Sequence, residues 1–212
     1  MVILAVGAVC LPCLYLGLLR WYQPGFELEQ NRNRKLLRTV PELLAVLFSE
    51  LAWVKFCHEY GTGMMLGLLY ITLVWMTVLC ITDYWEKLVP NRLLLLYLLM
   101  GVIVLGIQGL RDIGMVLLIV PSMVLGFLFC VISFGAAYLL SHGSMGSGDV
   151  KLAVLLGIFL TGEYVIGTVF YGCMISAVYS VVQLWRKKLT RKDELPFVPF
   201  LYMGLIFTCF VG

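Results

Sequence analysis

Long apolar runs alternate with short polar segments along almost the whole chain. Eight of these runs predict membrane helices, and they cover residues 1–19, 41–56, 63–82, 92–109, 113–140, 150–161, 163–184 and 197–212. A full crossing needs about 20 apolar residues, so the short run at 150–161 is also compatible with a re-entrant segment. The pattern predicts an all-α, polytopic integral membrane protein with about eight transmembrane helices.

The composition agrees with a membrane protein. The 212 residues are 62% apolar and 13% charged, and the mean hydropathy is +1.00, whereas soluble domains carry about 25% charged residues. The net charge of +3 is too small to indicate nucleic acid as a partner, so we expect the lipid bilayer to surround the chain. The seven cysteines lie mostly in apolar runs and predict no disulfide framework.

The first apolar run is expected to be a retained helix. No positive region precedes residues 1–19 and no A-x-A site follows them, so the run is untypical of a secretory signal. We expect residues 20–40 to form a short basic cytoplasmic loop and residues 41–212 to form the membrane-embedded core.

The basic residues predict the orientation in the inner (plasma) membrane. With all eight runs crossing and the N-terminus outside, thirteen of the fifteen Lys and Arg residues fall on one side, and only Lys55 and Arg111 fall on the other. The thirteen lie in the segments 20–40, 83–92, 141–151 and 185–196. The positive-inside rule makes their side cytoplasmic. It also favours a crossing by residues 150–161, because otherwise the basic cluster after the seventh run would lie outside.

Two aspartates lie at the predicted cytoplasmic boundary. Asp83, in VLCITDYWEKLVPN, follows the third run, and Asp149, in GSMGSGDVKL, precedes the sixth. Carboxylates at this depth are costly and are therefore functional candidates. Two carboxyl groups that face each other in a medium of low dielectric share a proton, which provides one base and one acid. Aspartic proteases use this arrangement to activate water.

Each of these residues also has a simpler explanation. Asp149 would act as the N-cap of the helix that follows, and Asp83 would reach interfacial water. Lys151 would extend its amine to the surface, and Pro90 and Asn91 would turn the chain. A small ion- or proton-coupled transporter that uses the same carboxylates is the main alternative function, and a non-catalytic membrane scaffold is another.

Two motifs resemble those of a known family. The string GSGDVKL, residues 146–152, resembles the GxGDxKL signature of the type IV prepilin peptidases, which are GxGD membrane aspartyl proteases. In that family the other aspartate stands a few residues before a Pro-Asn or Pro-Asp pair, as Asp83 stands before Pro90 and Asn91. PELL at 41–44 resembles the helix start after the family's cytoplasmic loop, and PFVPF at 196–200 resembles the segment before its last helix.

The resemblance implies a function for each residue. Asp83 and Asp149 would form the catalytic dyad of an intramembrane endopeptidase that removes the short basic leader of a prepilin or pseudopilin at the cytoplasmic face. Gly146 and Gly148 would let the backbone bend and approach the substrate strand. Lys151 would tune the dyad or bind an acidic group of the substrate.

The loop at 20–40 differs from that of many bacterial family members, which carry two CxxC pairs there with the spacing of a structural zinc site. This loop contains no cysteine, and Cys10 and Cys13 lie inside the first apolar run. We therefore expect no metal and no other cofactor, as in a compact form that lacks the zinc-binding domain. The N-methyltransferase activity of longer members is left open for this chain.

Overall fold

The computed structural model describes residues 32–60, 64–141, 145–186 and 195–211. Side chains are described within 41–58, 66–141, 145–186 and 195–211. In these ranges the chain forms seven helices: α1 (Arg32–Tyr60), α2 (Met64–Glu86), α3 (Asn91–Arg111), α4 (Ile113–Leu140), α5 (Ser147–Phe159), α6 (Gly162–Trp185) and α7 (Val198–Val211). The all-α prediction is confirmed for this part of the chain, and the predicted helix at 1–19 lies outside the described residues.

Four of the described helices are long and apolar enough to cross a membrane. They are α2, over its part Leu66–Glu86, together with α3, α4 and α6. Helix α7 is a shorter apolar helix of 14 residues. Helix α5 has 13 residues, which at 1.5 Å per residue gives a length of about 20 Å, against a hydrocarbon core of about 30 Å. The protein is polytopic, and the total of eight crossings stays a prediction.

Helix α1 begins earlier than predicted. It starts at Arg32, and Pro41, where a helix start was expected, lies inside it. Residues 32–40 are therefore helical instead of part of the predicted loop at 20–40. These residues are rich in Arg, Lys and Leu, which have high helix propensity, and they contain no glycine or proline that would delay the start of the helix.

Helix α2 is the centre of the bundle. In its most apolar window 83% of the residues are buried, against 22% in α3, 17% in α4 and 22% in α6. It packs against α1, α3 and α7 and also contacts α5. The exposed side chains of the outer helices are largely apolar, for example Leu117, Leu118 and Leu125 on α4. This distribution is expected when the solvent around the outer helices is lipid.

A buried polar cluster joins three helices at the centre. The Ser49 hydroxyl of α1 hydrogen-bonds to the Thr77 hydroxyl of α2 at 2.7 Å and to the Tyr202 hydroxyl of α7, also at 2.7 Å. The Tyr202 hydroxyl also donates to the Ala45 carbonyl of α1. Buried polar groups require such partners, so the cluster fixes how α1, α2 and α7 pack together.

Glycines allow two very close helix crossings. A Cβ atom at Gly126 of α4 would lie 2.4 Å from the carbonyl oxygen of Gly157 of α5, and a Cβ atom at Gly157 would lie 2.5 Å from the carbonyl oxygen of Gly126. At the α6–α7 crossing, a Cβ atom at Gly204 would lie 2.2 Å from the carbonyl oxygen of Thr168. Small residues permit backbones of membrane helices to approach in this way. The first crossing fixes the position of α5, which carries Asp149.

Candidate active site

Asp83 lies in the last turn of α2, which is followed by a short loop. Lys87 ends the helix in a left-handed conformation, with φ of 50°, and its N–H donates to the Asp83 carbonyl at 2.9 Å. The chain then runs to Pro90, an extended residue with φ of −71° and ψ of 127° that is the N-cap of α3. The Pro90 carbonyl accepts the N–H of Leu93 at 3.1 Å and that of Leu94 at 3.2 Å. Pro90 therefore turns the chain into α3.

Asp149 lies in the first turn of α5 and is not its N-cap. The N-cap is Gly146, with φ of −64° and ψ of 131°, and helical geometry begins at Ser147. The Asp149 N–H donates to the Gly146 carbonyl at 3.2 Å, a 3₁₀-type bond that satisfies one of the N–H groups of the first turn. The N-cap explanation for Asp149 is therefore wrong. The helix begins before the carboxylate, which leaves the Asp149 side chain available to the site.

The two glycines of the GxGD motif have different neighbours. A Cβ atom at Gly148 would lie 2.8 Å from the Cβ of Val89 and 3.2 Å from its carbonyl oxygen. Gly148 therefore approaches the loop between α2 and α3. The predicted approach of the two glycines to a substrate strand stays a prediction. Gly146 lies beside the carboxyl group, because a Cβ there would be 3.2 Å from Asp149 Oδ2.

Lys151 joins the two motifs directly. Its Nζ donates to the Asn91 Oδ1 at 3.0 Å, and both side chains are exposed. The contact ties the first part of α5 to the first residue of α3. An effect of Lys151 on the dyad or on a substrate group stays a prediction.

A single cavity of about 440 Å³ is lined by both Asp83 and Asp149. Its remaining lining comes from the α2–α3 loop, α4, the start of α5, α6 and the segment before α7: Lys87, Ser133, Phe134, Ala137, Met145, Gly146, Cys173, Leu195, Pro196 and Phe197. The rings of Phe134 and Phe197 lie 5.9 Å apart, centroid to centroid. The volume far exceeds the roughly 30 Å³ share of one liquid water molecule, so water and part of a peptide backbone fit together.

The environment of Asp149 disfavours its ionised form. Burial is the main cause and the neighbouring Asp83 carboxylate is the second, and together they raise the pKa of Asp149 to about 7. The Asp83 side chain is itself only 4% exposed. Two carboxyl groups coupled in this way titrate as a pair.

A backbone amide orients Asp83. The N–H of Val198, the first residue of α7, donates to Asp83 Oδ2 at 3.0 Å in a buried position. This functional group was missed in the sequence, where PFVPF was noted only as a likeness to the family. A signal was present in Pro199, since proline is well tolerated in the first turn of a helix, where N–H groups need no helical partner.

Comparisons with known proteins identify the family of this chain. The model of the type IV leader peptidase family matches residues 70–181, a little over half of the chain, and the matched range includes both aspartates. The chain is 27% identical over 135 residues to a prepilin leader peptidase/N-methyltransferase of Bacillus subtilis (strain 168), which covers 64% of this chain and 52% of that protein.

A second similar protein comes from Burkholderia pseudomallei (strain 1026b) and has the same name. It is 33% identical over 88 residues, which cover 41% of this chain and 28% of that protein. The chain thus matches about half, or less, of the length of these relatives. No solved structure matches the chain significantly.

Proposed function

This chain belongs to the type IV leader peptidase family, and from that membership we propose that it is an intramembrane aspartic endopeptidase that removes the leader of type IV prepilins or pseudopilins. The observation that carries the proposal is the cavity that Asp83 and Asp149 line together. The names of the relatives supply the substrate class. The proposal concerns leader cleavage, and methylation of the new N-terminus is a separate activity.

The two carboxyl groups can hydrolyse a peptide bond without a cofactor. With one proton on the pair, the carboxylate takes a proton from water while the water oxygen bonds to the scissile carbonyl carbon, and the carboxyl group gives its proton to the carbonyl oxygen. The resulting gem-diol then returns a proton to the second group while the first protonates the amide nitrogen. The C–N bond breaks, and the dyad recovers its starting state.

The cytoplasmic face is the proposed side of cleavage. Thirteen of the fifteen basic residues fall on the side of the predicted topology that carries both aspartates. A prepilin changes from a basic leader to an apolar helix at the same membrane depth. The apolar side chains Phe134, Ala137 and Phe197 beside the dyad suit the first residues of such a helix.

Co-expression with a prepilin substrate tests the proposal. The full chain is expressed with a protein that has a basic leader followed by a long apolar helix, and leader removal is followed by gel mobility. Asp83→Asn and Asp149→Asn should each abolish cleavage, because neither variant can hold one proton on two carboxyl groups. Normal cleavage by either variant would remove that residue from the mechanism.

Asp112→Asn is the matched control. Asp112 is exposed and accepts the N–H of Met115 at 3.2 Å as the N-cap of α4. Asparagine caps helices about as well as aspartate, so this variant should insert and cleave like the wild type. Recovery of all three variants in the membrane fraction shows that lost cleavage is not lost protein.

A further inference from the structure

The two carboxyl groups of the cavity have different surroundings. Asp83 Oδ2 accepts the buried Val198 N–H at 3.0 Å. Asp149 is less buried than Asp83 and lies at the start of α5, beside Gly146. Burial disfavours the ionised form of both groups, and more strongly that of Asp83, so an ionised Asp83 depends on contacts that stabilise its charge.

The Val198 amide favours the ionised form of Asp83 for two reasons. A hydrogen bond donated to a carboxylate stabilises the charged form more than the neutral one. Val198 is also the first residue of α7, and the N–H groups of a first helical turn carry the positive end of the helix dipole. An anion at Asp83 in turn favours the proton on Asp149.

We propose that Asp83 is the general base and Asp149 the general acid, and that the backbone amide of Val198 is the positioning group that fixes this division. The inference rests on the proposed function. Asp83 takes the proton of the attacking water, and Asp149 gives its proton to the carbonyl oxygen. In the second half of the reaction Asp83 gives that proton to the leaving nitrogen, and Asp149 regains its own from the gem-diol as the C–N bond breaks.

Val198→Pro removes the positioning hydrogen bond with little other change. Proline lacks an N–H and its φ suits the first position of a helix, where no helical N–H bond is lost. The residue before it, Phe197, precedes the helix, so the preference of pre-proline residues for extended backbone is tolerable there. Val198→Ala is the matched control, because it trims the same buried side chain and keeps the N–H.

The test is the pH dependence of leader cleavage by the full-length wild type and both variants in proteoliposomes. A hydrogen bond to a charged group corresponds to about one to two pH units. The rate falls at low pH where the general base becomes protonated. We therefore expect Val198→Pro to shift this fall to higher pH by that amount, with a tenfold or larger loss of rate relative to wild type at lower pH values. In Val198→Ala the rate should fall at the same acidic pH as in the wild type. A loss of rate by Val198→Pro that is equal at all pH values indicates a structural contact only and overturns the inference.

Titration of the wild-type protein tests the same division without a change at Val198. Aspartate carboxyl carbons are labelled with ¹³C, and Asp83→Asn and Asp149→Asn assign the two signals. We expect Asp83 to ionise at a lower pH than Asp149. The reverse order, in a protein that cleaves prepilin, overturns the division and leaves the proposed function intact. Absence of cleavage by the wild type overturns both.

Discussion

Gly148 lies so close to Val89 that a Cβ atom at position 148 would stand 2.8 Å from the Val89 Cβ. This contact presses the first turn of α5 onto the loop between α2 and α3. The turn carries Asp149, and the loop begins after Glu86, one helical turn beyond Asp83. The second glycine of the GxGD motif therefore determines how closely the first turn of α5 approaches this loop.

Gly148→Ala should reduce cleavage more than it reduces stability. The added methyl group must displace Val89, which costs about 1–3 kcal/mol as overpacking and is partly offset by the higher helix propensity of alanine. A displacement of about 1 Å at reacting groups can lower a rate by about 100-fold, so we expect at least a tenfold loss. Leader cleavage and thermal denaturation in detergent measure the two effects. Wild-type cleavage by the variant would show that this contact does not position the dyad.

The common location of Asp83 and Asp149 in one cavity was predictable from the sequence. Both carboxylates lie at the same predicted boundary of an apolar chain, and the resemblance of their two motifs to those of one family favoured a shared site over two separate explanations. The all-helical fold was predictable for a related reason, since only internally bonded helices fit a chain of this composition in lipid. These predictions depend on side-chain chemistry and hydropathy, which can be read directly.

The contacts made by the backbone were not predictable. Val198 contributes an N–H group, which every residue except proline has, so no residue type marks its role. The close approach of Gly148 to Val89 depends on how α5 packs, and glycine alone does not reveal its neighbour. The start of α1 at Arg32 was missed because Pro41 was taken as a boundary, while the residues before it favour a helix.

Gly126→Ala should destabilise the protein by separating α4 from α5. Its Cβ would lie 2.4 Å from the Gly157 carbonyl oxygen, which is backbone and cannot rotate away. Overpacking of this kind costs about 1–3 kcal/mol or more. Gly135→Ala is the matched control on the same helix, because a Cβ there meets nothing within 4 Å. The midpoint of thermal denaturation in detergent should be clearly lower for Gly126→Ala than for Gly135→Ala. Equal midpoints would contradict the close crossing of the two helices.

Tyr202→Phe should weaken the central polar cluster and leave the chemistry of the dyad intact. The change removes the hydroxyl that bonds to Ser49 and to the Ala45 carbonyl. Loss of a buried hydrogen-bond partner costs about 1–3 kcal/mol. We expect a lower midpoint of thermal denaturation with an unchanged pH profile of cleavage. Tyr84→Phe, at an exposed tyrosine, is the control. A midpoint equal to that of the control would show that the cluster adds no stability.

Cleavage by the wild type should decline as the pH rises through about 7. Burial and the Asp83 carboxylate raise the pKa of Asp149 to about 7, so Asp149 holds a proton below this pH and loses it above. A dyad with no proton has no acid for the carbonyl oxygen. The value of kcat/KM, taken from rates at prepilin concentrations well below KM between about pH 5 and 9, reports the free enzyme and should fall about tenfold for each pH unit above about 7. A rate that stays constant to pH 9 would contradict the assigned acid.

Asp149→Asn should stabilise the protein more at high pH than at low pH. The folded carboxyl keeps its proton up to a pKa of about 7, whereas an exposed aspartate ionises near 3.9. Between about pH 4 and pH 7 the unfolded state therefore binds fewer protons, so the wild-type free energy of unfolding falls as the pH rises and levels off above about 7. Asparagine is neutral throughout, so the midpoint of thermal denaturation of the variant, relative to wild type, should rise from pH 5 to pH 8. A difference for Asp149→Asn that stays constant between pH 5 and pH 8 would mean that the carboxyl is already ionised in the folded state at pH 5.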